Sequence, residues 1–375
     1  MLDLLDRLVA FNTVSDQSNL DLIDFAQDFL TSRGFSVTRL TDPAEPKAGL
    51  YAEIGPAGDG VLLSAHTDVV PVAGQVWTRD PFRLTVEGGR AYGRGTTDMK
   101  GFVAAMLGAA DRASRMTLSA PLRLVLSYDE EIGCVGIARM AGRLKPLVGT
   151  PRIAIVGEPT GLQVATGHKG KRAYQAVIRG QAGHSALAPR FVNALNVASD
   201  FMQALQALQA DLEQLGGRDD GYDIPYSTVH VGTLSGGRAL NIVPDQAEMR
   251  FEFRHLAQDD PNRLDQRIRD AARSICATYG PAAGIEITQT SDYPGLATPV
   301  ASQMVRDVLR FAGTQTTKVA FGTEAGVFTA LGIPTVVCGP GSMEGQGHKA
   351  DEYIALSELS ACAAMLDRVL DDMAA

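Results

Sequence analysis

LRLVLSYDEEIG, residues 122–133, carries an apolar, strand-like run straight into three consecutive acids, Asp129, Glu130 and Glu131. Adjacent carboxylates repel, and the end of a buried strand is a poor place to leave them. A solvated turn is the plain explanation for one such triplet, but similar endings recur along the chain. VLLSA (61–65) runs into His66-Thr67-Asp68, and RIAIV (152–156) runs into Gly157-Glu158-Pro159. IPTVVCG (333–339) leads, after a glycine-rich loop, to Gly347-His348-Lys349. In open α/β sheets, ligands bind beyond the carboxyl ends of the strands. A lone histidine at a strand end, or an acid before proline, is usually structural. Four such groups at four strand ends of one sheet are much harder to dismiss.

Between these runs and LYAEI (50–54) lies helical periodicity. LIDFAQDFLTSRG (22–34) is one case, with Gly34 as a stop signal, and MKGFVAAMLGAADRA (99–113) is another. The alternation predicts an α/β domain with a mostly parallel sheet. From about residue 171 the pattern changes. A strand (RAYQAVIRG), a long helix (VNALNVASDFMQALQALQADLEQL) and two alternating strands (STVHVGTL, QAEMRFEFRH) follow one another. A helix (PNRLDQRIRDAARSICATYG) and a last strand (IEITQT) complete the block. This predicts a two-layer α+β sandwich over 171–291, inserted into a domain built from 1–170 and 292–375. No internal repeat or low-complexity tract interrupts it.

The 375 residues are 45% apolar and 21% charged, proportions of a folded globular chain rather than a disordered one. A net charge of −9 with no long basic run argues against nucleic acid as a partner. No apolar segment approaches the roughly 18 residues that span a membrane. The start, MLDLLDRLVAF, carries Asp3 and Asp6 where a signal peptide wants lysine or arginine, so a cytoplasmic protein is expected. Cys134, Cys276, Cys338 and Cys362 are scattered and form no C-x-x-C pair, which predicts buried, reduced thiols.

A fifth candidate, Asp98, sits in GRGTTDMKG (93–101) at the start of a helix. That loop matches neither the dinucleotide nor the P-loop glycine pattern. Two neutral histidines and three carboxylates suit zinc or a similar divalent ion. Two dications, three carboxylates and a hydroxide sum to zero charge, whereas one ion leaves a negative cluster. The inventory therefore favours two divalent metal ions, zinc first with cobalt able to substitute, and one carboxylate must bridge them. Asp68, two residues from His66, is placed to accept the proton of the ring nitrogen that does not bind metal.

SAHTDVVP (64–71), GRGTTDMKG, DEEIG (129–133), GEPT (157–160) and GHKADE (347–352), in this order and spacing, resemble the dinuclear-zinc aminoacylase and carboxypeptidase family. The resemblance spans nearly the whole chain, insertion included. It implies that Asp98 bridges the metals, that His66 and Glu158 complete one site, and that Glu131 and His348 complete the other. It also implies Glu130 as general base, Asp68 as the partner of His66, and a cis peptide at Asp98–Met99. The insertion corresponds to a lid and homodimerisation domain. Its RGQAGHSALAP segment sets His184 where relatives bring a histidine from the partner subunit to the oxyanion. Asn241 in LNIVP and Arg254 in FEFRH match substrate-lining positions, with Arg254 suited to a carboxylate. His168, His230 and His255 match no ligand position. FGTEAGVF (321–328), with Thr323 and Glu324, resembles the acetylornithine deacetylase branch, and so does HKGKRAYQAVIRG (168–180). Glu324 is expected either to meet a substrate ammonium or to cap the helix behind it. The implied reaction is hydrolysis of N2-acetyl-L-ornithine to L-ornithine and acetate, a step of arginine biosynthesis. Acetylcitrulline, succinyl-diaminopimelate or a broad aminoacylase range is the alternative.

Overall fold

The computed structural model describes every residue from Met1 to Ala375 and divides into two compact units, Met1–His168 with Leu296–Ala375, and Lys169–Gly295. In chain order the first unit begins with α1 (Leu2–Val9), α2 (Leu20–Thr31), β1 (Ser36–Thr41), β2 (Ala48–Ile54) and β3 (Val61–His66). The short strands β4 (Thr85–Glu87) and β5 (Arg90–Tyr92) precede α3 (Lys100–Ala113), β6 (Leu122–Ser127) and α4 (Val135–Val148). β7 (Ile153–Pro159) and β8 (Val164–His168) close this first pass. The second unit holds β9 (Gly170–Arg179), β10 (Gly183–His184), α5 (Ala194–Leu215), β11 (Thr228–Gly236), β12 (Ile242–Val243), β13 (Gln246–His255), α6 (Pro261–Tyr279) and β14 (Gly284–Tyr293). The first unit resumes with β15 (Leu296–Ala297), α7 (Gln303–Ala312), β16 (Thr316–Val319), α8 (Ala325–Ala330), β17 (Thr335–Gly339), β18 (Tyr353–Ala355) and α9 (Leu356–Asp372).

The first unit is α/β, as the alternation predicts. Its large sheet runs β1-β2-β6-β3-β7-β17-β8-β15, with β16 beside β8. The middle four strands, β6-β3-β7-β17, are mutually parallel, and antiparallel pairs flank them. Every residue of β3, β6, β7 and β17 is buried, which parallel strands covered on both faces require. Helix α3 supplies much of that cover, and eleven of its fourteen residues are buried. Its small residues admit close approach, and at Gly157 the need is steric. A Cβ there would stand 2.0 Å from the Phe102 ring.

In the second unit a four-stranded antiparallel sheet, β11-β13-β9-β14, backs onto α5 and α6. Burial alternates along β13 with period two, and α5 buries Val197, Phe201, Leu205, Leu208 and Leu212 on one stripe. Tyr174 stacks on Phe251 with centroids 5.1 Å apart, and Phe201 meets the same ring edge-on at 5.6 Å. Three of the four cysteines are buried, Cys276 is half-buried, and all four are free thiols. No helix is long and apolar enough to cross a membrane.

Candidate metal centre

Parallel registry brings the strand ends level. His66 lies opposite Ser127, the last residue of β6, while Ser64 on β3 pairs with Val156 on β7. Gly339 at the end of β17 pairs with Pro159. Side chains beyond these positions therefore meet above one edge of the sheet. Asp98 joins them from the loop that starts α3, where the Asp98–Met99 peptide is cis.

Asp98 is the centre of the arrangement. His66 Nε2 lies 3.0 Å from its Oδ1, and His348 Nε2 lies 3.1 Å from its Oδ2. Glu158 Oε1 is 3.7 Å from His66 Nε2, and Glu131 Oε2 is 3.0 Å from His348 Nε2. Each imidazole thus shares a different oxygen of Asp98 with a different glutamate. Two groupings hold ligand atoms within 4.8 Å of one another: His66 with Asp98 and Glu131, and His66 with Glu130 and Glu158. Glu131 Oε1 and Glu158 Oε1 are buried with no hydrogen-bond partner. Orphaned carboxylate oxygens beside imidazole nitrogens are the donor set that a divalent ion of the zinc type takes.

The electrostatics agree. Burial pushes the Glu131 carboxyl up to about 7, with the Asp98 charge adding to the push. Burial likewise holds Glu130 and Glu158 well above the usual carboxylate range. Hydrogen bonds to Asp98 and Glu131 push His348 up to about 10. Burial opposes a charge on His66, yet Asp68 and Asp98 outweigh it and raise this imidazole well above its ordinary value. The residues present fit a dinuclear site.

Asp68 faces the Nδ1 side of His66 with both its carbonyl and its carboxylate. His66 Nδ1 donates to the Asp68 backbone carbonyl at 2.9 Å, and the carboxylate Oδ1 stands off at 3.5 Å. The carboxylate accepts from the N–H groups of Glu130 and Glu131 and from Ser15 Oγ.

Thr323 and Glu324 are both fully buried, and the metal-ligand candidates His66, Asp98 and Glu158 are buried too. Glu324 makes no side-chain capping bond to α8, and Thr323 Oγ1 accepts from Ala325 N–H at 3.1 Å instead. Ser127 lies beside the Glu324 carboxylate, yet neither oxygen finds a hydrogen bond of normal geometry.

His184, Asn241 and Arg254 belong to the second unit. His184 on β10 is exposed, pairs in register with Ile242, and accepts from Ala186 N–H through Nδ1 at 3.1 Å. The Asn241 carbonyl accepts from Ser185 N–H at 3.1 Å. Arg254 Nε donates to Glu252 at 2.9 Å.

Sequence reasoning missed Glu352. Its Oε1 accepts from the N–H groups of Thr97 and Asp98 at 2.9 and 3.1 Å, and its Oε2 pairs with the buried Arg94 at 2.6 Å. This carboxylate fixes the loop that carries Asp98. It is the last residue of GHKADE, but the groups it holds lie 255 and 254 residues away in sequence.

Residues 62–372 match the peptidase family M20/M25/M40. An acetylornithine deacetylase from Myxococcus xanthus is 36% identical over 374 residues, 98% of this chain and 95% of the relative. Among solved structures, an M20 family metallo-carboxypeptidase from Sulfolobus solfataricus superposes with a TM-score of 0.79 at 20% identity, covering 98% of each chain. A dinuclear metal binding peptidase of the M20 family from Bacillus subtilis gives 0.70 at 18% identity, over 99% of this chain and 97% of its own.

Proposed function

The chain belongs to peptidase family M20/M25/M40 and is a metal-dependent hydrolase, and from that premise we propose that it cleaves N2-acetyl-L-ornithine to L-ornithine and acetate. One observation carries the chemistry: two imidazoles face opposite oxygens of the single carboxylate Asp98, each beside a glutamate with an unpartnered oxygen. Similarity to the Myxococcus xanthus enzyme over nearly the full length supports the choice of substrate.

Asp98 would bridge two divalent ions, zinc in the first place. His66 and Glu158 would hold one, and Glu131 and His348 the other. When bound, the ions activate water and polarise the scissile carbonyl. Glu130 takes the proton of the attacking water and returns it to the leaving amine. Its burial raises its proton affinity towards the range a base needs near neutral pH. Cys134 Sγ, 3.3 Å from Glu130 Oε1, helps hold the side chain. Asp68 orients His66 through its carbonyl and the Glu130–Glu131 backbone through its carboxylate.

The second unit acts as lid and homodimerisation domain over 171–291 in this reading. Strand β11 pairs only with β13, so its outer edge is free to meet a second copy. The partner subunit's His184 then donates to the oxyanion, while Asn241 and Arg254 hold the substrate.

Metal-reconstituted protein assayed on a panel of acyl amino acids tests the substrate. Acetylornithine is expected to give the highest kcat/KM, above acetylcitrulline, succinyl-diaminopimelate and neutral acetyl amino acids. A higher value for any competitor overturns the assignment. Glu130→Ala is expected to cut kcat by at least about 10³ with two ions still bound, and retained turnover sinks its role as base. Light scattering is expected to give a dimer, and a monomer with full activity removes His184 from the reaction.

A further inference from the structure

Asp129 is the acid of the triplet that the metal centre leaves unused. It is 1% exposed, and its φ of +56° lies in the left-handed region that few residues except glycine enter. That conformation turns the next two N–H groups, of Glu130 and Glu131, onto one carboxylate, Asp68, at 3.1 and 3.2 Å. Lys47 holds the turn from the side. Its ammonium, 5% exposed, donates to Asp129 Oδ1 and to the Ser15 carbonyl, both at 2.6 Å. Ser15 Oγ donates in turn to Asp68 Oδ2 at 2.8 Å. The contacts close a ring, from Lys47 to Asp129, along the chain to Glu130 N–H, across to Asp68, to Ser15 and back to Lys47.

The other side of Glu130 is tied as well. Its carbonyl accepts from the N–H groups of Gly133 and Cys134, both at 2.8 Å, and Val135 N–H reaches the Asp129 carbonyl at 3.0 Å. A buried ion pair gives little net stability over apolar residues of the same volume, because both charges must leave water. Its value here is geometric. We infer that Lys47 and Asp129 are positioning residues for the hydrolytic step, fixing the turn that aims Glu130 at the attacking water. The inference rests on Glu130 being the base, and neither residue belongs to the metal-binding or substrate-binding set.

The test uses the full metal-loaded chain in five variants: Asp129→Asn, Lys47→Met, the apolar pair Lys47→Met with Asp129→Leu, Glu130→Gln, and Asp129→Asn combined with Glu130→Gln. Asp129→Asn is expected to lower kcat between about tenfold and a hundredfold, the scale of a misplaced catalytic group. KM should stay within about twofold and metal content at two ions. The apolar pair should recover the wild-type Tm without recovering kcat, which separates positioning from stability even where Lys47→Met alone fails to fold. In the Glu130→Gln background, Asp129→Asn should cost nothing further. Wild-type kcat in Asp129→Asn, a loss that follows departing metal, or full kcat in the apolar pair overturns the inference. If Glu130→Gln itself keeps wild-type kcat, the base assignment fails and takes the inference with it. An inactive Glu130→Gln beside a fully active Asp129→Asn removes the positioning claim alone.

Discussion

Glu324 shows what burial does to a single carboxyl. It is wholly enclosed, its oxygens lack hydrogen bonds, and burial pushes it up to about 7 from an ordinary 4.5. A group whose folded pKa is raised contributes stability that is complete below 4.5 and is lost as pH rises through 7. In metal-free protein, Glu324→Gln is therefore expected to match wild type near pH 4. It should exceed wild type at pH 8 by on the order of 2 kcal/mol, read as a higher Tm. A difference that does not change with pH counts against this account. What sequence could see at this scale followed from where the residues fall. His66, Glu131, Glu158 and His348 end or follow apolar runs, and a sheet gathers such ends. Burial of Thr323 and Glu324 was not legible, because a short polar stretch before a helix reads alike whether it is covered or open. Lys47 and Glu352 were also hidden. Each acts on partners far along the chain, at separations of 82 and 254–255 residues, and no local pattern encodes such pairs.

Among the elements, β7 carries a steric constraint beside a metal-ligand position. Gly157 precedes Glu158 on this strand, and any side chain there collides with Phe102 of α3. Gly157→Ala is expected to cost about 1–3 kcal/mol from overpacking and to lower metal content by displacing Glu158. Thermal melts with metal analysis check both, and a variant that keeps its Tm and both ions counts against the packing argument. Long apolar runs and long periodic helices were readable from sequence because burial on both faces, or on one stripe, fixes their composition. VATGH and TTKV, which form β8 and β16, were not. Both are short, and glycine or lysine breaks their apolar character. Ends were the other weak point. β7 continues through Glu158 and Pro159, past the apolar residues that mark it, so Glu158 stands on a strand and not in a turn.

For the molecule as a whole, the metal centre links folding to pH. In metal-free protein, Glu131 is raised to about 7 by burial, and its stabilising contribution is lost as pH climbs from 4.5 through 7. His348, raised to about 10 by Asp98 and Glu131, contributes fully below 6.5 and loses that contribution as pH rises through 10. Bound metal requires neutral imidazoles and ionised carboxylates, so its grip strengthens over the same window. Chelation is expected to lower Tm more at pH 8.5 than at pH 6, and the reverse order would contradict the linkage. The insertion has a consequence of its own for how the chain reaches this state. His168 and Leu296 are paired neighbours on β8 and β15, although the entire second unit lies between them in sequence. Within that unit, Lys171 pairs with Tyr293 on β9 and β14. Once the second unit has folded, the gap that β8 and β15 must close shrinks from on the order of a hundred residues to a few, easing closure by about 3 kcal/mol. The insertion then acts as a clasp for the sheet around it. Phe251→Ala, which loosens only the second unit's core, should slow recovery of activity on refolding even though every metal ligand is intact.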